Sequence, residues 1–376
     1  MIPVNEPLLN GNEKKYLNEC IDTGWISSEG PFVNKFEESF SSIHNLKHGI
    51  SVCNGTAALE TALFALGIGY QDEVIMPSFT IISCAVACLK LGAIPVLVDI
   101  EPDTWTMDAT QIEAKITSKT KAIMAVHIYG HPVNMDPIFE LAENYSLKII
   151  EDAAEVHGAE YFSIYKGHKW LKCGAMGDIS ATSFYANKII TTGEGGMVLT
   201  DNDRYAEISK SYRNLCFGHE ERFRHNDLGY NFRMTNIQAA IGLAQTERFN
   251  EFIFIKTDRG EYYREKLQEI SGIKFQPIKK YAKSVYWMYA IELDPHLQIT
   301  ALEMMEKLKN FKIGTRPFFR GLHAQPALEK LGLFQGEPYP NTDTAYKYGL
   351  YLPSGMTLSY EQIDEVVNTI KKILGQ

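Results

Sequence analysis

SFYANKIITTGEGGMVLT, residues 183–200, is the stretch from which the rest of the chain is read. A β-like run from Ala181 to Ala186 leads to one lysine, Lys188. A glycine-rich turn follows, Gly193-Glu194-Gly195-Gly196, and then a second strand from Met197 to Thr200. Strands and turns flank this lysine and no helix carries it, which suits an amine held in a fixed place. Buried lysines lose proton affinity and then serve as nucleophiles or Schiff-base formers. The plain alternative is a strand-end lysine whose head reaches solvent.

Upstream, strand-like and helix-like segments alternate. In HGISVCNGTAALETALFALGI, Ile50 to Cys53 reads as a strand and Ala57 to Leu66 as a helix with a broad apolar face, closed at Gly67. Asn54-Gly55-Thr56 is the turn between them. The first N–H groups of such a helix are unpaired and carry partial positive charge, so the turn reads either as an ordinary N-cap or as a phosphate site. EVIMPSF is a buried strand ending at Phe79, with a helix from about Ile81 to Leu91. AIPVLVDI and KAIMAVH are further strands, Asp108 with Gln111 reads as a capping box for a helix to Ile116, and PIFELAENY is a helix. LKII then delivers Glu151 and Asp152 at a strand end. The alternation predicts an α/β fold with a mainly parallel central sheet, whose ligands gather at the carboxyl ends of the strands.

Taken together, these segments resemble the DegT/DnrJ/EryC1/StrS-type sugar aminotransferases, which use pyridoxal phosphate (PLP) and share fold type I with aspartate aminotransferase. The serine before the lysine, the TTGEGG after it, NGT, IIEDAAE and YNFRMTN occur in the family's order along nearly the whole chain. The resemblance implies that Lys188 binds PLP covalently, that Asp152 meets the pyridine nitrogen, that Gly55, Thr56 and Ala57 hold the phosphate, and that Ser183 also binds the cofactor. It places Phe79 against the PLP ring and Glu155 near the ring oxygen. It also implies a homodimer with shared sites, in which Asn231 reaches the phosphate of the other subunit. Trp25 and Ser27, in the GWISSEGP loop, and Arg316, in RPFF, are implied at the substrate end. The implied reaction moves an amino group from L-glutamate to a nucleotide-linked keto sugar. Closer matching of NEPLLNGNEKKYL, GWISSEGP, GHPVNMDPI, YNFRMTN and RPFF implies C4 of GDP-4-keto-6-deoxymannose. The alternatives are a dTDP- or UDP-4-keto sugar, a sugar dehydratase on the same fold, or a PLP-binding regulator without turnover. The segment Tyr161 to Asp178 is longer than the hairpin of many relatives.

The remaining residues fit this frame. The 376 residues, 45% hydrophobic and 22% charged, are enough for two domains. The pattern changes near Phe252, so residues 1–250 are expected to form a large PLP-binding α/β domain and residues 251–376 a smaller α+β domain. Asn12, Asn236 and Ser359 read as helix caps, Ser359 with Gln362 as a capping box. A net charge of −9 lends no support to a nucleic-acid partner. No apolar run is long enough to span a bilayer. MIPVNEPLLNGNEKKYL lacks the order of a signal peptide, and the six scattered cysteines read as reduced thiols, so a cytoplasmic location is expected. His127 and His131 are too isolated for a metal site. GxGxxG after a strand, GxxxxGK[ST], HExxH and GxSxG are absent.

Overall fold

The computed structural model describes residues 1–218, 221, 223–225 and 227–376. Its strands are β1 (His48–Val52), β2 (Glu73–Pro77), β3 (Ile94–Val98), β4 (Thr120–Val126), β5 (Lys148–Asp152), β6 (Glu160–Ser163), β7 (Lys169–Lys172), β8 (Ile179–Ser183), β9 (Gly196–Thr200), β10 (Ile273–Phe275), β11 (Ala282–Lys283), β12 (Tyr289–Leu293), β13 (Arg316–Pro317) and β14 (Gly349–Leu352). Among the described residues the main sheet has seven strands in the order β1-β9-β8-β5-β4-β2-β3. The β2–β3, β2–β4, β4–β5 and β5–β8 pairs are parallel, and β9 runs against both of its neighbours. Helices cover both faces of a parallel sheet, so its strands are apolar throughout rather than alternating. β4 shows this, with Ala122, Ile123, Met124, Ala125 and Val126 all buried.

The helices before this sheet is complete are α1 (Glu13–Thr23), α2 (Pro31–Ile43), α3 (Gly55–Ala65), α4 (Ser83–Lys90) and α5 (Met135–Tyr145). After it come α6 (Asp203–Tyr212), α7 (Asn236–Thr246) and the 19-residue α8 (Phe249–Leu267). α3 buries nearly every side chain, from Ala57 to Ala65, because it lies between the sheet and outer helices. The four-stranded second sheet, β10-β12-β14-β13, shares a core with α9 (Ala301–Asn310) and, beyond the short α10 (Pro326–Glu329) and α11 (Pro340–Tyr348), with α12 (Tyr360–Leu374). α12 turns Ile363, Val366, Val367 and Ile370 inward. Ile2 belongs to the apolar core of this smaller unit, and its N–H donates to Lys312 O at 2.9 Å. The chain is therefore α/β, with a mostly parallel central sheet and a smaller C-terminal part.

Several local expectations are corrected. The strand EVIMP ends at Pro77, two residues before Phe79. Asp108 and Gln111 do bond to each other, but they open two short 3-10 turns, Ala109–Gln111 and Glu113–Lys115, rather than a helix. Thr235, not Asn236, caps α7 through a capping box with Gln238. The Asn236 amide instead accepts from Phe32 N–H and donates to Trp25 O, tying the N-terminal loop to α7. Asn12 makes no cap and donates to Glu247 instead. The Ser359–Gln362 capping box is present. The segment 161–178 holds the β6–β7 hairpin, extended by β11 into a three-stranded sheet.

Candidate active site

A cavity of about 370 Å³ opens at the carboxyl ends of β4, β5 and β8. Its wall includes Gly55 and Thr56 from the start of α3, Asp152 and Glu155 after β5, and Ser183 and Lys188 after β8. Six of the expected residues therefore converge from three separate strand ends.

At the start of α3, Asn54 Oδ1 accepts from Ala57 N–H at 2.9 Å. Asparagine at this position satisfies one of the orphan donors. The Ala57 N–H is engaged in this bond and its side chain is buried. The N–H groups of Gly55 and Thr56 have no protein acceptor among the described residues and face the cavity with the hydroxyls of Thr56, Ser83 and Ser183. Together with the helix dipole, they form a site for an anion. A Cβ built on Gly55 would lie 2.8 Å from Ser183 Cβ, so only glycine lets β8 come this close.

Asp152 ends β5 and is 5% exposed. Its Oδ1 accepts from Ala154 N–H at 3.1 Å and its Oδ2 from the Cys84 thiol at 3.3 Å. Burial, with Asp152 beside it, pushes the Cys84 thiol well above its ordinary pKa, so it stays a neutral donor. Lys188 Nζ lies 3.6 Å from Glu155 Oε1 and 3.7 Å from the centre of the Trp287 ring. Burial pushes Lys188 down, while Glu155 and Asp152 push it back up. Burial raises Glu155 to about 7, against the pull of Lys188 and of the Tyr129 N–H that donates to its Oε2. Behind Asp152, Glu151 is fully buried. Burial alone would raise it, but His127 and the N–H groups of Gly174, Met176 and Gly177 bring it below its ordinary value.

The other expected residues lie elsewhere. Phe79 is fully buried among Tyr129, Phe318 and Phe319 and does not line the cavity, because the chain turns inward just after β2. Thr80 and Ile81 line the wall instead. Trp25 and Ser27 are exposed and are held by their carbonyls to Asn236, outside the cavity. Arg316 is exposed and pairs in register with Tyr351, which does line the cavity. Asn231 is exposed, and its Oδ1 accepts from Arg233 Nε at 2.8 Å. His157 packs on Phe40 and Phe184 and hydrogen-bonds Thr182. Sequence reasoning missed His127, Asn187, Trp287, Phe319 and Tyr351 as wall residues. The last three come from beyond residue 280, and no local spacing links them to Lys188.

The residues present fit PLP. An anion site, a buried carboxylate and a buried amine face one cavity, and the buried Asn187 Oδ1 there has no hydrogen-bond partner. Comparisons with known proteins agree. The model of the DegT/DnrJ/EryC1/StrS aminotransferase family matches residues 7–371. The chain is 41% identical to the GDP-perosamine synthase of Caulobacter vibrioides over 374 residues, 99% of this chain and 98% of the relative. It is 40% identical to that of Escherichia coli O157:H7 over 375 residues, with the same coverage. The crystal structure of an aminotransferase, TlmJ from Streptoalloteichus hindustanus, superposes with a TM-score of 0.90 at 27% identity, covering 100% of this chain and 99% of the other. With nearly its whole length matched in sequence and in fold, the chain belongs to the DegT/DnrJ/EryC1/StrS aminotransferase family.

Proposed function

We propose that this chain is a PLP-dependent aminotransferase that moves an amino group from L-glutamate to C4 of GDP-4-keto-6-deoxymannose, giving GDP-perosamine. The observation that carries the reaction type is the meeting of Lys188, Asp152, Ser183 and the free N–H groups of α3 in one cavity. The identity to GDP-perosamine synthases over nearly the whole chain supports the sugar and its nucleotide.

In this reading Lys188 would hold PLP covalently and Asp152 would meet its ring nitrogen. Gly55, Thr56 and Ser183 hold the phosphate, and Glu155 lies on the side of the ring oxygen. When bound, PLP supplies an electron-withdrawing ring that takes up the electron pair left when a Cα–H bond breaks. Asp152 keeps the ring nitrogen protonated, and the Cys84 thiol and Ala154 N–H keep Asp152 in place. Lys188 Nζ would take the proton from the donor's Cα and give it back on the far side of the donor nitrogen, a general acid–base role. Its burial favours the neutral amine before the transfer. Glu155 then faces the ammonium that forms. L-Glutamate takes up the oxygen of a water, leaves its amino group behind and departs as 2-oxoglutarate; in the reverse half-reaction the sugar ketone takes that amino group and releases its oxygen as water. The working unit is a homodimer in which Asn231 of the partner subunit completes the phosphate site. Arg316, in register with the wall residue Tyr351, is assigned to the substrate.

The test is the visible spectrum of the purified protein with PLP. The band of the lysine-bound cofactor is expected to fade with L-glutamate and to return with GDP-4-keto-6-deoxymannose. A return only with a dTDP- or UDP-keto sugar would keep the aminotransferase and reject the GDP sugar. No band at all would reject the reaction type.

A further inference from the structure

Helix α8 carries a lysine for which the proposed chemistry has no use. Lys256 is buried, and no carboxylate stands within ion-pair distance of it among the described residues. Its Nζ donates to Trp287 O at 2.7 Å and also to Ser354 O. An isolated buried ammonium is costly, and an apolar side chain of the same length would fill the space without that penalty. What lysine adds is two donors aimed at two carbonyls. Both carbonyls belong to segments that deliver the smaller unit's wall residues to the cavity. Trp287 precedes β12, and Ser354 follows β14, the strand of Tyr351. Ser354 extends the tie, since its Oγ accepts from Tyr289 N–H and donates to Leu352 O, each at 2.7 Å.

Trp287 is fixed a second time by its indole N–H, which donates to Asn187 O at 2.8 Å, one residue before Lys188. Its ring is 3% exposed and presents its face to Lys188 Nζ at 3.7 Å. The charged groups facing this nitrogen are Glu155 and Asp152, and Glu155 at 3.6 Å is beyond a good hydrogen bond. An indole face is the strongest aromatic partner for an ammonium, and more so where water is excluded.

We propose that Trp287 is a catalytic residue that, with Glu155, holds the proton on Lys188 Nζ after it leaves the substrate, and that Lys256 is the positioning residue that fixes Trp287 for this task. The proposal rests on Lys188 being the reacting amine. Burial pushes Lys256 itself down to about 7, as expected of an ammonium whose partners are dipoles and not a counter-charge.

The experiment follows the pH dependence of the rate at which cofactor-free protein captures PLP, which tracks the neutral fraction of Lys188. Trp287→Phe keeps the backbone tie and weakens the ring face. Lys256→Met keeps the ring and removes the tie. Each is expected to lower the midpoint by about half a pH unit or more. In the loaded enzyme each is expected to lower kcat about tenfold, with KM for L-glutamate within about threefold. If Lys256→Met does not fold, Lys256→Gln, whose shorter, uncharged side chain cannot span both carbonyls, is measured in its place. An unchanged midpoint in Trp287→Phe overturns the role of Trp287. A lowered melting temperature with an unchanged midpoint in the Lys256 variant reduces that residue to a structural one. Wild-type protein that captures no PLP would instead remove Lys188 as the reacting amine, a separate failure.

Discussion

Burial works against the charge on Lys188 and on Glu155 at once. With no cofactor bound, Glu155 is pushed from 4.5 to about 7. A carboxyl whose folded-state pKa lies above its unfolded value binds its extra proton in the folded chain. Folded-state stability therefore falls as pH rises from about 4.5 to beyond 7. Glu155→Gln removes that term. Relative to wild type, the cofactor-free variant is expected to be equally stable near pH 4 and more stable by about 1–3 kcal/mol near pH 8. Urea midpoints at the two pH values check this, and a gain that is the same at both would contradict it. Lys188→Ala is expected to abolish transamination and the visible band of bound PLP together, and turnover at the wild-type rate would remove the central claim.

At the scale of elements, the start of α3 is where sequence and geometry meet most closely. Gly55→Ala would push the helix end away from Ser183 and is expected to weaken PLP binding about tenfold, near 1.4 kcal/mol, in a cofactor titration. Unchanged affinity would show that the close approach is not needed. Within single elements the sequence was a good guide. The strand that delivers Asp152, the Asn54 turn and the α12 capping box all carry their signals within a few residues. Phe79 shows where such signals stop. Whether an aromatic residue after a strand points into a cavity or into the core depends on partners such as Phe318, more than two hundred residues away. Trp287 carries no local signal either, since its approach to Lys188 is set by α8 and by the loop that contains Asn187. Asn236 misled for a related reason. Asparagine is a good cap, but here Thr235 with Gln238 does that work, which leaves Asn236 to bind Phe32 and Trp25.

For the whole molecule, the position of Asn231 outside its own chain's cavity makes site sharing testable. A mixed dimer of Lys188→Ala and Asn231→Ala subunits would hold one site with both residues intact. Mixing the two variants after mild dissociation is expected to give more activity than either alone, and activity equal to their average would count against a shared site. The N-terminus has a different bearing on the whole. Besides the Ile2 bond to Lys312, Val4 O accepts from Ser354 N–H and the Asn5 amide donates to Asn187 O. Ile2 and Val4 thus have partners more than three hundred positions further along the chain, at Lys312 and Ser354. At ordinary rates of translation they wait on the order of tens of seconds for those partners to be synthesised. The large sheet has time to form before its opening segment is stitched down, so a nascent chain stalled before residue 312 should expose its first residues to a protease while β1 to β9 are already protected.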